Sequence, residues 1–470
     1  MTMINPNIFR EYDIRGIAES DLTSSVVESL GHTFASYVKS KGIDRITVGY
    51  DARLSSERIC KDITRGITGE GVNAEILGLC PTPALYFSLF HLNPGAGVMI
   101  TGSHNPAEFN GFKLCIGKDT IYGDEIQKLK KMMAGVFRRN AGKGMISHAP
   151  ILPDYIRYLQ CQFAPGISTP LKVVLDAGNG TAGLAAPEIL RAMGCEVIEL
   201  YSQPDGRFPN HHPDPTIPGN LAALIDTVLS RKADIGIAFD GDADRIGVVD
   251  EEGSILWGDQ LMVIFSREIL RNQPGAIFVS EVKCSQTLYD DISKHGGKAV
   301  MWKAGHSLIK AKMKEIGATM AGEMSGHLFF ADRYFGYDDA IYAACRLVEI
   351  LKKKKSENLA NAKLSMLLSD LPKTFNTPEI RFDCPDAIKF KVVEKAKEIL
   401  LSGDDLHVKP KNVITVDGVR AIFSGGWGLI RASNTQPVLV MRFEANDIST
   451  LAEIQRLMEQ KVRSVIASMT

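Results

Sequence analysis

The feature that most constrains the fold is a recurring unit: a short apolar run, a polar loop directly after it, then a helix-patterned stretch. Ile46 to Tyr50 opens on Asp51, and Gly97 to Thr101 (GVMIT) opens on Gly102. Lys172 to Leu175 runs into DAGNGTAG, Asp234 to Phe239 into DGDADR, and Ala276 to Ser280 into EVKCS. Helical patterns such as Leu221 to Leu229 and Leu261 to Leu270 lie between them. Apolar runs of this length alternating with helices predict α/β units on largely parallel sheets. In such sheets ligands bind at the loops beyond the carboxyl ends of the strands, which is where the polar clusters of this chain fall.

A chain of 470 residues has room for roughly two to four domains. Breaker-rich stretches suggest the seams: Asn140 to Pro153, Gly253 to Gly258, and Lys352 to Pro378. Beyond Pro378 the texture changes to EIRF, VITVDGVRAIF, GWGLIRA and PVLVMRFEA, which predict antiparallel strands with helices to one side, an α+β unit. Pro204 to Gly219 predicts a long surface loop. The four lysines Lys352 to Lys355 predict the solvated end of a helix rather than a binding patch.

A formal net charge of -1 argues against a bulk electrostatic grip on nucleic acid or on an anionic membrane. None of the eight cysteines has CxxC spacing, so a zinc ribbon is not expected; they read as reduced, mostly buried thiols. MTMINPNIFREYD carries neither a basic n-region nor an apolar h-region. No apolar run approaches the ~20 residues that span a bilayer. These features set the expectation of a cytoplasmic protein.

Asp240, Asp242 and Asp244, in DGDADR, place three carboxylates at alternate positions directly after a buried strand. On extended backbone they share one side, and their mutual repulsion calls for a hard cation such as Mg2+. An EF-hand calcium loop is the rival reading, with Glu251 at its twelfth place, but its sixth place is Arg245 rather than Gly. A solvated acidic turn is the plain alternative.

Ser103, in TGSHNP, follows a strand-like run, and alone it is an ordinary turn serine. The GxSxG nucleophile elbow is absent. Lys113, in FNGFKLC, is a candidate cation for a phosphoryl group in transfer. Arg431, Ser433, Asn434 and Thr435 gather a guanidinium, two hydroxyls and an amide in one loop, a phosphate cradle or else a polar hairpin turn. Glu323, Ser325 and His327, in GEMSGH after an apolar-helical stretch, would share a face on extended backbone and suit sugar hydroxyls. His306, in KAGHS, is an acid–base candidate or a structural histidine.

Taken in order, FREYDIRG at 9–16, TGSHNP at 101–106, DGDADR at 240–245, KAGHS at 303–307, GEMSGH at 322–327 and GWGLIRASNTQPVLVMRFEA at 426–445 resemble the α-D-phosphohexomutases, most closely the bacterial phosphomannomutase/phosphoglucomutases. The likeness runs over essentially the whole chain. It implies four domains around a central cleft: three related mixed α/β domains at 1–150, 151–255 and 256–371, then a smaller TATA-box-binding-like α+β domain at 372–470. The resemblance implies that Ser103 carries phosphate, with Mg2+ on Asp240, Asp242, Asp244 and a phosphoserine oxygen. Arg15, Lys113, Arg245 and His306 would surround the transferred group. Glu323, Ser325 and His327 would read the sugar, the Arg431 loop would hold the distal phosphate, and Tyr12 and Lys283 would line the cleft. Two departures, Gln436 where Glu is common and Ala243 where Gly is common, remove no proposed ligand.

The function so implied is interconversion of the 1- and 6-phosphates of mannose or glucose, through glucose 1,6-bisphosphate or mannose 1,6-bisphosphate. Either Lys113 or His306 would handle the hydroxyl proton. The rivals are a phosphoglucosamine mutase, from which Met324 and Asn434 lean away, a non-catalytic sugar-phosphate binder, and a metal-dependent phosphatase. A monomer or weak dimer is expected.

Overall fold

The computed structural model describes residues 4–135, 143–163, 169–357, 362–403, 406–433 and 437–469. They build four sheets in succession along the chain. In the first, Ile14–Ile17, Phe109–Ile116, Gly95–Ile100, Arg45–Tyr50, Asn73–Leu79 and Ile146–His148 lie side by side, with Asp119–Thr120 beside Phe109–Ile116. The predicted runs at Ile46 and Gly97 form its parallel centre, paired in register from Arg45↔Gly95 to Tyr50↔Ile100. FNGFKLC, left unassigned from sequence, is a strand antiparallel to Gly95–Ile100, so the serine loop closes a hairpin.

The second sheet orders Ile255–Leu256, Ile246–Asp250, Ile235–Phe239, Leu171–Asp176 and Cys195–Leu200, again with a parallel centre and an antiparallel return after the acidic loop. The third orders Lys298–Trp302, Ile277–Glu281, Met320–Gly322 and Leu328–Phe330. In each of these three sheets the candidate loop joins a parallel strand to its antiparallel neighbour. The repeated plan is therefore mixed α/β, with the polar turn at the carboxyl end of a central strand. The fourth sheet is antiparallel throughout, from Phe375–Asn376 through Val438–Ala445, Gly426–Ala432 and Val419–Phe423 to Asn412–Ile414, and helices Lys389–Ser402 and Ile448–Met469 pack on it. This is the expected architecture, three mixed α/β domains and an α+β domain.

One hydrophobic core runs without a break from Leu77 and Leu85 through Tyr155 and Phe239 to Phe265 and Leu364, joining the first three domains; the last keeps its own core around Val392, Leu439 and Met458. Continuous apolar packing of this kind fixes relative placement, because interiors packed to crystal density do not slide freely.

Several local expectations change. The run before GEMSGH is the strand Met320–Gly322, not helix. Residues 323–327 then turn tightly, Gly326 N–H donating to Glu323 O at 3.1 Å and Glu323 N–H to His327 O at 2.9 Å. Gly326 sits at φ 93°, where a Cβ would collide with the Ile246 carbonyl, so both conformation and space require glycine. Lys352 to Lys355 do close a helix, Ala340–Ser356, but not into open solvent. Lys352 is buried and donates to Met193 O, while Lys353 and Lys355 pair with Glu268 and Asp234. All eight cysteines are free, and Cys161 alone is exposed. Among the described residues, no helix is long and apolar enough to cross a membrane.

Candidate active site

The acidic loop converges its carboxylates by turning rather than by extending. Ala243 N–H donates to Asp240 O at 3.1 Å and Ala243 adopts φ 62°, a left-handed conformation that bends residues 240–245 back on themselves. Asp240, Asp242 and Asp244 are each 0% exposed, and one oxygen from each lies within 4.8 Å of the others. Asp240 Oδ1 accepts from the backbone N–H groups of Asp244 and Arg245, both at 3.1 Å. Asp242 Oδ1 and Asp244 Oδ1 are buried with no hydrogen-bond partner among the described residues. Two orphaned anionic oxygens at a closed triad of hard donors fit a divalent cation, since burying such atoms unpaired is costly.

Lys113 reaches this triad from the hairpin strand, its Nζ 2.8 Å from Asp242 Oδ2 and also on Asp244 Oδ2. Burial opposes its charge, but Asp242 and Asp244 outweigh burial and hold it well above the usual lysine range. Asp242 responds in the opposite sense: burial pushes it up, and Lys113 more than offsets that and keeps it ionised. Asp240 makes no ion pair with a lysine among the described residues, and burial, with the neighbouring Asp244 and Asp242, outweighs Arg245 and Lys113 and raises it well above the carboxylate range.

Ser103 meets the triad directly. Its Oγ donates to Asp240 Oδ2 at 2.8 Å and lies 3.1 Å from His104 Nδ1. Ser103 holds φ 49°, a strained setting for a residue with a Cβ. Arg53 maintains it. This fully buried guanidinium donates to Ser103 O at 2.7 Å, Asn105 O at 2.6 Å, Pro106 O at 2.5 Å and Phe109 O at 2.8 Å, and pairs with Asp51. Asp51 Oδ2 accepts in turn from Thr101 Oγ1 at 2.8 Å and Gly102 N–H at 3.2 Å. Sequence reasoning passed over Asp51, Arg53 and the His104 contact. The available signal was the polar DAR straight after the strand at Ile46, the same plan that marked the other loops. Arg15 completes this side, donating to Asn105 Oδ1 at 2.9 Å and pairing with Asp13.

The third domain brings two histidines to the same place. Arg245 Nε donates to His327 Nε2 at 3.0 Å, and the His327 and His306 rings stack with centroids 5.4 Å apart. Burial, assisted by Lys310, pushes His306 well below the usual imidazole range, so it is held neutral. His327 is thus grouped with Arg245 and Asp244, while Glu323 faces elsewhere: Glu323 Oε1 accepts from Gly305 N–H at 2.6 Å. Ser325 is half-buried on the same turn.

A second network joins the fourth domain to the KAGHS loop. Asp417 Oδ2 accepts from Arg431 Nε at 2.9 Å and from Ala304 N–H at 3.0 Å, and Tyr12 OH donates to Ala304 O at 2.9 Å. Lys283 bridges Glu281 at 3.4 Å and Glu379 at 3.2 Å, and Glu281 Oε1 takes the Met324 N–H at 2.9 Å. Ser433 is buried beside Arg431. Asn434 and Thr435 lie outside the described residues. Asp417 was the partner missed here; on sequence it was an unremarked Asp in a turn.

Fold and site define an isomerase of the α-D-phosphohexomutase class. Four phosphoglucomutase/phosphomannomutase domain models match in order: α/β/α domain I at residues 6–137, domain II at 153–253, domain III at 257–375 and the C-terminal domain at 379–461. The chain is 41% identical over 466 residues to a phosphomannomutase/phosphoglucomutase of Pseudomonas aeruginosa, covering 98% of this chain and 97% of that one. It is also 41% identical to a phosphoglucomutase of Neisseria gonorrhoeae, over 100% of this chain and 98% of the other. A crystal structure of a phosphoglucomutase/phosphomannomutase family protein from Burkholderia thailandensis superposes with a TM-score of 0.90 at 38% identity, over 98% of both chains. The chain belongs to the phosphoglucomutase/phosphomannomutase family.

Proposed function

We propose that this enzyme interconverts the 1- and 6-phosphates of mannose and glucose by a relay through Ser103. The observation that carries the reading is the 2.8 Å contact of Ser103 Oγ with Asp240, inside three fully buried carboxylates. In the resting enzyme Ser103 carries phosphate. The phosphorus–Oγ bond breaks as the free hydroxyl of a hexose monophosphate bonds to phosphorus, giving a 1,6-bisphosphate. The bisphosphate turns over in the cleft, its other phosphoryl group returns to Ser103, and the isomerised monophosphate leaves. Asp240, Asp242, Asp244 and a phosphoserine oxygen would hold Mg2+, which supplies charge neutralisation at the transferring group.

Lys113, kept charged by its two aspartates, and Arg245 stabilise the same group electrostatically. His306, held neutral, takes the hydroxyl proton. Glu323 and Ser325 read the sugar hydroxyls. Reading the 3- and 4-hydroxyls, which roughly exchange places on reversal, leaves carbon 2 unread, and glucose and mannose differ only there. Arg431 and Ser433 hold the distal phosphate in either orientation, with Tyr12 and Lys283 lining the path. The buried free thiols suit a cytoplasmic enzyme.

Intact-mass and phosphopeptide analysis tests the relay, followed by a coupled assay on glucose, mannose and glucosamine 1-phosphates with glucose 1,6-bisphosphate added. Phosphate on Ser103 and turnover of the first two sugars are expected. Inorganic phosphate as the main product, or a preference for glucosamine, would overturn the assignment.

A further inference from the structure

Asp338 has no place in the chemistry above, yet it lies between Lys310 and the two histidines, His306 and His327. Its carboxylate is 0% exposed and sits on the segment that returns from Phe329 to the helix Ala340–Ser356. Oδ1 accepts from Lys310 Nζ at 3.0 Å. Oδ2 lies 3.2 Å from His327 Nδ1 and 3.8 Å from His306 Nδ1. Among the described residues, Oδ2 and His327 Nδ1 are both buried and neither has a hydrogen-bond partner, so at 3.2 Å each is the other's nearest complement. The other oxygen facing His327 Nδ1, Asp244 Oδ1, is farther, at 3.6 Å, and belongs to the triad.

Across the ring, His327 Nε2 is 3.0 Å from Arg245 Nε. A guanidinium nitrogen only donates, so Nε2 must be the bare, accepting nitrogen. The ring proton then belongs on Nδ1, facing Asp338. The groups then lie in one line: Arg245 donates to His327, the His327 Nδ1 proton faces Asp338 at 3.2 Å, and Lys310 donates to Asp338 from the far side. Lys310 is itself fixed from the first domain, donating to Thr120 Oγ1 at 3.0 Å and lying 4.3 Å from the centre of the Tyr86 ring.

We propose that Asp338 is a positioning residue for phosphoryl transfer: it sets the His327 tautomer and, through it, aims the Arg245 guanidinium. Anchoring Arg245 by Nε leaves its two terminal nitrogens for the phosphoryl oxygens, the bidentate use that guanidinium geometry favours. The role in catalysis rests on the mutase reading; the tautomer does not.

Asp338→Asn separates the two. Lys310 donates to Oδ1 and so orients the new amide with its oxygen toward Lys310 and its NH2 toward His327. Nδ1 must then accept, the proton moves to Nε2, and Nε2–H opposes the Arg245 N–H. Imidazole-15N NMR of the full chain, with the His327 signals assigned by their loss in H327N, should show wild-type His327 protonated at Nδ1 and bare at Nε2. In D338N the pattern should reverse. The mutase kcat, normalised to phosphoserine content, should fall about 10- to 100-fold, the range seen for outer partners of metal-ligating histidines, with little change in KM. A wild-type His327 protonated at Nε2, alone or together with Nδ1, overturns the proposal even if D338N does not fold. A folded D338N with the wild-type tautomer or the wild-type kcat also overturns it. Wild-type protein without mutase activity would sink the mutase reading instead, and the tautomer would still be decided by the spectrum.

Discussion

Ser103 Oγ donates to Asp240 Oδ2 at 2.8 Å, although 137 positions separate the two residues. The contact joins the loop that would carry the phosphoryl group to the loop that would hold the cation. It also places the hydroxyl beside the one carboxylate of the triad that forms no ion pair with a lysine among the described residues.

Ser103→Ala should therefore abolish bisphosphate-dependent turnover while sugar-phosphate binding persists, as read by calorimetry. Chelation should silence the wild-type enzyme and leave its circular dichroism unchanged, with Mg2+ restoring activity. Full activity of the alanine variant would end the relay reading.

Arg53→Met should destabilise the fold by about 3–5 kcal/mol, because it leaves the buried Asp51 carboxylate without its countercharge. Four carbonyls of the serine loop lose their donor at the same time. Denaturant unfolding checks the stability, and phosphopeptide analysis should show reduced loading of Ser103. A stability loss below about 1 kcal/mol would mean that the loop holds its shape by other means.

Arg431→Ala should raise KM for the hexose phosphate about tenfold or more, while the Mg2+ concentration for half-activation stays fixed. Arg431 is tied to Asp417 of the fourth domain rather than to the acidic loop of the second, so the two parameters should separate. An unchanged KM in steady-state kinetics would contradict the cradle assignment.

Asp339 should make the stability of the fold fall as pH rises through about 6. Burial pushes this carboxyl up to about 6, although it accepts from Tyr155, Tyr334 and the Tyr342 N–H. A carboxyl raised in the folded state contributes stability below its unfolded pKa of about 3.9 and loses it as pH rises toward 6. The loss is roughly 2–3 kcal/mol and is complete above about pH 7. Thermal unfolding of D339N relative to wild type should therefore shift in favour of the variant between about pH 4 and about pH 7 and stay level above, at about 1.4 kcal/mol per pKa unit. A difference independent of pH would show that Asp339 titrates normally.

Strand-then-loop order was legible because a buried strand writes itself as an unbroken apolar run and its loop as an abrupt polar cluster. Ile235–Phe239 and Gly95–Ile100 were found this way. FNGFKLC was not, because its buried lysine breaks the run; Lys113 is tolerated inside only because Asp242 and Asp244 await it from another domain. Asp240, Asp242 and Asp244 were grouped correctly for a partly wrong reason. Alternation suggested an extended strand, whereas a left-handed Ala243 turns them inward.

By itself the sequence determined the α/β plan, the order of the loops and the family, since these follow from local periodicity and contiguous motifs. The tertiary structure alone decided the partnerships: Arg53 beneath the serine loop, Asp417 between Arg431 and Ala304, and Asp338 behind His327. Each partner is a charged residue whose surroundings are distant in sequence. On the chain it looks like any solvated Asp or Arg, and only burial, which makes an unpaired charge too costly to keep, turns it into a specific contact.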